Sequence, residues 1–241
     1  LLVIEEEKVY PKYLFEYELG LAQKLSKMRG SRDGEAMTSL DKHIKSYQKK
    51  NSIILADKQR EAIKLLMKEQ ILILTGGPGT GKTTVVKAMI DIYKKIYPKS
   101  IIRLAATTGR ASRKLEESTG YEAMTIHRMI GYRQGELPEY HHDNRLAGDL
   151  IVIDEMSMVD IQLAYWLINA VENKSKILFI GDTDQLPSVG PGNVLNDMIK
   201  SGLPTVELTE IFRQAEASQI VTNAHRINSG KPLLIDQTKN D

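Results

Sequence analysis

Cysteine is absent from all 241 residues. No disulfide can brace the chain and no thiolate can hold a metal, a composition that suits a reducing cytoplasm, the location we expect. No apolar run approaches the roughly 18–20 residues that cross a bilayer, and no charged-then-apolar leader opens the chain, so no membrane partner is expected. An excess of charge is missing too: 33 Lys and Arg face 31 Asp and Glu, for a net charge of +2. A nucleic-acid partner would have to be met by basic groups concentrated locally.

What is present is ordinary for a globular protein: 41% hydrophobic and 27% charged residues, enough for one cored domain of about 150–200 residues with extensions. Leu1 in place of Met, and the polar run Gln237-Thr238-Lys239-Asn240-Asp241, read as the cut ends of a longer chain. Leu14, Tyr17, Leu21, Leu25 and Met28 fall on one helical stripe. Residues 29–38 hold two glycines and several turn formers and read as a loop, and Leu40, Ile44 and Tyr47 predict a further short helix. From residue 57 short apolar runs alternate with helical patterns. Asp57 can cap a helix carrying Ala62, Ile63, Leu66 and Met67. Strands are predicted at 71–74, 101–106, 150–153, 177–180 and 205–208. Wholly apolar strands separated by helices predict an α/β fold with a mostly parallel sheet covered on both faces, and ligands then bind at the carboxyl ends of the strands.

The first of those strands runs into Gly76-Gly77-Pro78-Gly79-Thr80-Gly81-Lys82-Thr83, with Thr84 next. The pattern is G-x-x-x-x-G-K-[ST]. Glycines let backbone amides converge on phosphate oxygens, and the following helix turns its positive end to the same anion. Lys82 is expected to bridge the β- and γ-phosphates of ATP and the Thr83 hydroxyl to hold Mg²⁺. The strand at 150–153 ends in Asp154-Glu155; adjacent residues at a strand end point apart, so Asp154 is assigned to the metal and Glu155 to polarising the attacking water. The next strand ends in Gly181-Asp182-Thr183-Asp184-Gln185. Gln185 can sense the γ-phosphate or water; a plain polar loop is the alternative. Arg213, in Leu208-Thr209-Glu210-Ile211-Phe212-Arg213, can stabilise phosphate charge, with a surface arginine as the alternative.

Taken together, GGPGTGKTT, DEMSM, GDTDQLPSVGPG and LTEIFRQ resemble, in order and wording, the superfamily 1 helicases, and most closely the RecD/TraA group with its stand-alone RecD-like bacterial helicases. The resemblance spans about residues 52–230. It implies a RecA-like P-loop domain at 51–231, preceded by a helical extension at 1–50 and followed by the start of a further region at 232–241. It implies that Gln59 reads adenine, and that the nucleotide contacts include Gly77, Pro78, Gly79, Thr80, Gly81, Lys82, Thr83 and Thr84. It implies single-stranded DNA contacts at Thr107, Thr108, Arg110, Thr125, His127, Gly190 and Gly192, ATP-driven 5′-to-3′ translocation, and a strand-separating hairpin at about 131–148, mobile unless it leans on a neighbour. His141 and His142 there read as solvated loop histidines.

Between residues 101 and 133 six basic residues face three acidic ones, a local balance suited to phosphate contacts. Base-stacking aromatics are few; Tyr121, Tyr132 and Tyr140 are the candidates, against packing roles. The helicases of this group close ATP between two RecA-like domains. The second would lie beyond Asp241, so this chain alone is expected to bind nucleotide weakly, hydrolyse it slowly and not unwind DNA. The G-protein signatures N-K-x-D and D-x-x-G and the transporter signature L-S-G-G-Q are absent. A small-molecule kinase would share the phosphate loop but has no use for the Asp-Glu pair and the Gln185 sensor together. A nucleotide-gated DNA- or protein-binding module without turnover stays open as the alternative.

Overall fold

The computed structural model describes residues 1–5, 7–28, 30, 36–212 and 218–234. Strands β1 (Leu2–Glu5) and β2 (Lys8–Pro11) form an antiparallel hairpin. Helices α1 (Lys12–Met28), α2 (Ala36–Asn51) and α3 (Asp57–Lys68) follow. Then come β3 (Ile71–Gly76), α4 (Lys82–Ile96), β4 (Ile102–Ala106), α5 (Gly109–Thr119), β5 (Ala123–Thr125), α6 (Ile126–Met129) and β6 (Leu150–Asp154). A 3-10 turn (Met156–Met158) leads into α7 (Ile161–Ala170), β7 (Lys176–Gly181), α8 (Val194–Lys200), β8 (Thr205–Leu208) and α9 (Gln219–Asn228).

Six of these strands make one sheet in the order β5-β4-β6-β7-β3-β8, every neighbouring pair parallel. The alternation inside the strands divides the core. Ile71, Ile73, Ile151, Ile153, Ile177 and Phe179 point to one face, where α1, α7 and α8 supply Leu25, Met28, Leu167 and Leu195. Leu72, Leu74, Leu150, Val152, Leu178 and Ile180 point to the other, against α2, α3, α4 and α5 through Ile44, Leu66, Val85 and Leu115. A period of two with both sets apolar is what a doubly covered parallel sheet demands. Each such side chain contributes roughly 1.5–3 kcal/mol by leaving water. This is the parallel sheet covered on both faces that the apolar strands and intervening helices predict, and it agrees with the RecA-like P-loop fold that the resemblance implies.

Two expectations change. Residues 2–5 and 8–11 are a strand pair, not part of a helical extension; the carboxylates of Glu5 and Glu7 break the apolar spacing that would reveal it. The first two helices contribute to the same two cores as the sheet: Met28 is 0% and Leu40 1% exposed. Helices α1 and α2 therefore contribute to the fold's interior. Residues 131–148 form successive turns instead of a two-stranded hairpin. Pro138, buried in that stretch, has no N–H for a ladder, and His141 and Asn144 exchange backbone hydrogen bonds of 2.9 and 3.1 Å around a tight turn. The loop does lean on its neighbours. Tyr132 stacks on Trp166 at 5.1 Å between ring centroids, Leu146 is buried and bridges to Val171, and Arg145 donates to the carbonyls of Asn169 and Val171. No helix among the described residues is long and apolar enough to cross a membrane.

Candidate nucleotide site

Strands β3, β6 and β7 end side by side, and their carboxyl ends deliver Gly76, Asp154 and Gly181 to one edge of the sheet. Between that edge, α5 and the start of α3 lies a cavity of about 910 Å³. The whole run from Gly77 to Thr84 lines it, as do Gln59, Asp154, Glu155, Asp182, Gln185 and Phe212. The nucleotide and metal residues expected from sequence thus share one chamber.

The loop that leaves β3 needs its glycines. Gly81 has φ +76, the left-handed region open to glycine, and a Cβ there would fall 2.7 Å from Gln59 Nε2 and 2.9 Å from Phe212 Cε2. Gly77 lies against the His225 ring, with 2.8 Å between a would-be Cβ and Cε1. Thr80 turns inward, its hydroxyl donating to Gly77 O at 2.8 Å. Lys82 bends back over the loop and donates to the carbonyls of Gly76 and, at 3.0 Å, Gly77. At the far wall Gln59 accepts from Ala56 N–H at 3.1 Å, tying the start of α3. Ala56, rather than Asp57, is the residue at the cap position; Asp57 already lies in the first turn, its carboxylate paired with Arg60.

Asp154 and Glu155 are adjacent, yet both line the cavity. The reason is local backbone: Glu155 adopts φ +56, uncommon for a residue with a side chain, and its N–H donates to Asp154 Oδ1 at 2.8 Å. Burial pushes the Asp154 carboxyl above its usual range, partly offset by the Glu155 amide and Lys82. Burial, then the Asp154 charge, raises Glu155. Burial lowers Lys82, against the pull of Asp182, Asp154 and Glu155. Three charged groups are held against their desolvation cost, an arrangement typical of sites kept for chemistry.

Asp182, 3% exposed, escaped assignment from sequence. It receives the Asp184 N–H at 3.0 Å and the Gln185 amide at 3.5 Å, and so orders the loop that carries Gln185. Lys114 on α5 also faces the cavity. Neither has a spacing rule that singles it out; only the sheet brings them here. Arg213 lies outside the described residues.

The expected DNA residues sit at the same sheet edge, beyond the cavity. Thr108 and Thr125 cap α5 and α6, accepting from Ala111 N–H and Arg128 N–H, each at 3.2 Å. Thr107 has a buried hydroxyl without a hydrogen-bond partner among the described residues. Arg110 is exposed. His127 packs on Tyr132 at 5.3 Å. Gly190 and Gly192 press on the start of α7, where Pro191 O accepts from Ile161 N–H at 2.9 Å. Of the three tyrosines considered for base stacking, Tyr121 is bonded to Asp91 at 3.1 Å and packed against the core, and Tyr132 and Tyr140 also pack against core residues. His141 and His142 are exposed, and His142 Nε2 lies 2.8 Å from the Asp143 carboxylate.

The AAA domain family matches this chain over residues 54–241. The ATP-dependent RecD2 DNA helicase of Deinococcus radiodurans is 37% identical over 177 residues, 73% of this chain and 24% of that protein. The RecBCD enzyme subunit RecD of Mycolicibacterium smegmatis is 36% identical over 204 residues, 74% of this chain and 37% of that one. Among solved structures, the Pif1 helicase from Candida albicans is similar with a TM-score of 0.55 at 25% identity, over 77% of this chain and 46% of that one. The chain thus spans roughly a quarter to two fifths of the length of the two curated relatives.

Proposed function

The chain belongs to the AAA domain family, and from that premise we propose that its cavity binds ATP with Mg²⁺ and that the chain is the first motor domain of a DNA helicase similar to the RecD type. The observation that carries the reading is the meeting of Lys82, Asp154, Glu155 and Gln185 with the glycine loop around one cavity. The site fits the ligand by its own chemistry. Gly81 carries no side chain, and one there would meet Gln59 and Phe212; glycine lets the loop amides approach an anion. One ammonium, one hydroxyl and two carboxylates supply the donor set for a triphosphate and a hard cation.

In this reading Lys82 exchanges its bonds to the loop carbonyls for phosphate oxygens, so no ammonium has to be stripped of partners in between. Thr83 and Asp154 would hold the magnesium, which neutralises phosphate charge when bound. Glu155, its proton affinity raised by burial, accepts the proton of the attacking water. Gln185, steadied by Asp182, reports on the terminal phosphate. Gln59, backed by its bond from Ala56, faces the base end of the cavity together with Phe212, and Arg213 adds positive charge. Single-stranded DNA would run along Thr107, Thr108, Arg110, Thr125, His127, Gly190 and Gly192, with movement 5′-to-3′. A second RecA-like domain of the parent chain would complete both the ATP site and the DNA track. The domain assignment, a motor unit at 51–231, and a cytoplasmic location belong to the same proposal. Without that second domain the chain binds nucleotide weakly, turns it over slowly and does not separate strands.

Glu155→Gln tests the catalytic part. It should retain ATP binding and lose at least about a hundredfold in turnover, the scale of a general base. Turnover unchanged in this variant would remove Glu155 from the proton transfer, and ATP binding with no turnover in the parent protein would leave only the nucleotide-gated binding module.

A further inference from the structure

Helix α9 crosses the outer side of the phosphate loop, away from the cavity. His225 Nε2 lies 3.1 Å from Pro78 O. A carbonyl only accepts, so Nε2 carries the hydrogen. The ring edge also covers Gly77, where a Cβ would lie 2.8 Å from Cε1 and the ring would have to shift. One turn later on the same helix, Asn228 Nδ2 donates to Asp184 Oδ2 at 3.0 Å, and Asp184 adjoins Gln185. One short helix therefore grips both loops that border the cavity, the one after β3 and the one after β7.

The peptide plane gives this grip a consequence. In a trans peptide the carbonyl and the next N–H point in opposite directions, and the described residues contain no cis bond. His225 does not line the cavity, whereas Pro78 and Gly79 do. A Pro78 carbonyl held outward on His225 turns the Gly79 N–H to the opposite side, toward the cavity. A loop whose amides are aimed before the anion arrives loses less conformational freedom on binding it.

We propose that His225 is a positioning residue for the nucleotide: it fixes the Pro78 peptide plane so that the Gly79 amide faces the phosphates, while Asn228 ties the same helix to the Gln185 loop. The inference rests on the nucleotide reading above. Because the amides of such a loop serve diphosphate and triphosphate alike, His225 acts on ATP and ADP equally.

The test is titration of the 241-residue protein with fluorescent ATP and ADP analogues in Mg²⁺, with thermal melts beside it. His225→Ala should weaken both nucleotides by about 5- to 10-fold, the scale of one hydrogen bond. His225→Gln keeps an N–H donor of similar reach and should return both affinities to within about twofold of the parent; His225→Leu, which fills space without donating, should not. His225→Ala binding as the parent does, or rescue by Leu and not by Gln, overturns the proposal. Lys82→Ala is run alongside. If Lys82→Ala abolishes binding while His225→Ala has no effect, only this inference fails; if Lys82→Ala also binds normally, the nucleotide reading fails with it.

Discussion

Lys82 Nζ lies 3.0 Å from the carbonyl oxygen of Gly77, five positions earlier on the same loop. The ammonium that should meet phosphate is satisfied by the loop itself. Burial lowers its pKa, and the nearby carboxylates work against that shift, so the site holds a cation at some cost until an anion replaces the carbonyls.

The carboxylates carry a related cost, which can be measured as stability. The Asp154 pKa is raised in the folded state by burial. A raised carboxyl favours the fold while protonated, below its unfolded value, and that contribution is lost as pH rises through the raised folded value. Asp154→Asn removes the burden. We expect the variant and the parent to melt together at acidic pH and to separate as pH rises, with the variant more stable by about 0.5–2 kcal/mol at neutral pH, roughly 2–4 °C for each kcal/mol. Melting curves over a pH series check this, and a gap that closes as pH rises contradicts it.

Gly81→Ala should be costly twice over. The φ of +76 is strained for alanine, and the new methyl meets Gln59 and Phe212. A loss of about 1–3 kcal/mol is expected from the backbone alone, together with loss of nucleotide binding. Chemical denaturation and nucleotide titration report the two effects separately.

Met28 lies on α1 yet packs among the sheet residues Ile71 and Ile73 in the same core cluster. Met28→Ala should destabilise the domain by about 2–5 kcal/mol. Were residues 1–50 a separable extension, the cooperative transition would hardly move.

Arg110 follows β4 and is exposed beside the cap of α5. If single-stranded DNA passes there, Arg110→Ala lowers affinity evenly across sequences and reduces the salt slope by about one charge. Anisotropy titrations at several salt concentrations measure both quantities. A slope that stays the same places the track elsewhere.

How much of this was written in the sequence depends on how local each feature is. The phosphate loop, the strands before it and after it, and the Asp154-Glu155 pair are contiguous patterns, and the parallel sheet brings them together as expected. The two helical stripes ending at Met28 and Tyr47 were legible for the same reason, since periodicity alone defines a buried face. β5 was not foreseen, because three residues carry no readable period. The loop at 131–148 misled because the resemblance implies a hairpin at that place in the chain, whereas its fate is decided by Tyr132 meeting Trp166 and Leu146 meeting Val171. His225 could not be read at all: its partner Pro78 is 147 positions away, and only the folded chain sets them side by side.

The account depends most directly on the loop from Gly76 to Thr83 holding a triphosphate. Titrating the protein with a fluorescent ATP analogue in Mg²⁺, with Lys82→Ala in parallel, measures that. Saturable binding displaced by ADP, weakened at least about tenfold in the variant, is the predicted result; equal affinity in the two proteins, or no binding by either, would contradict it.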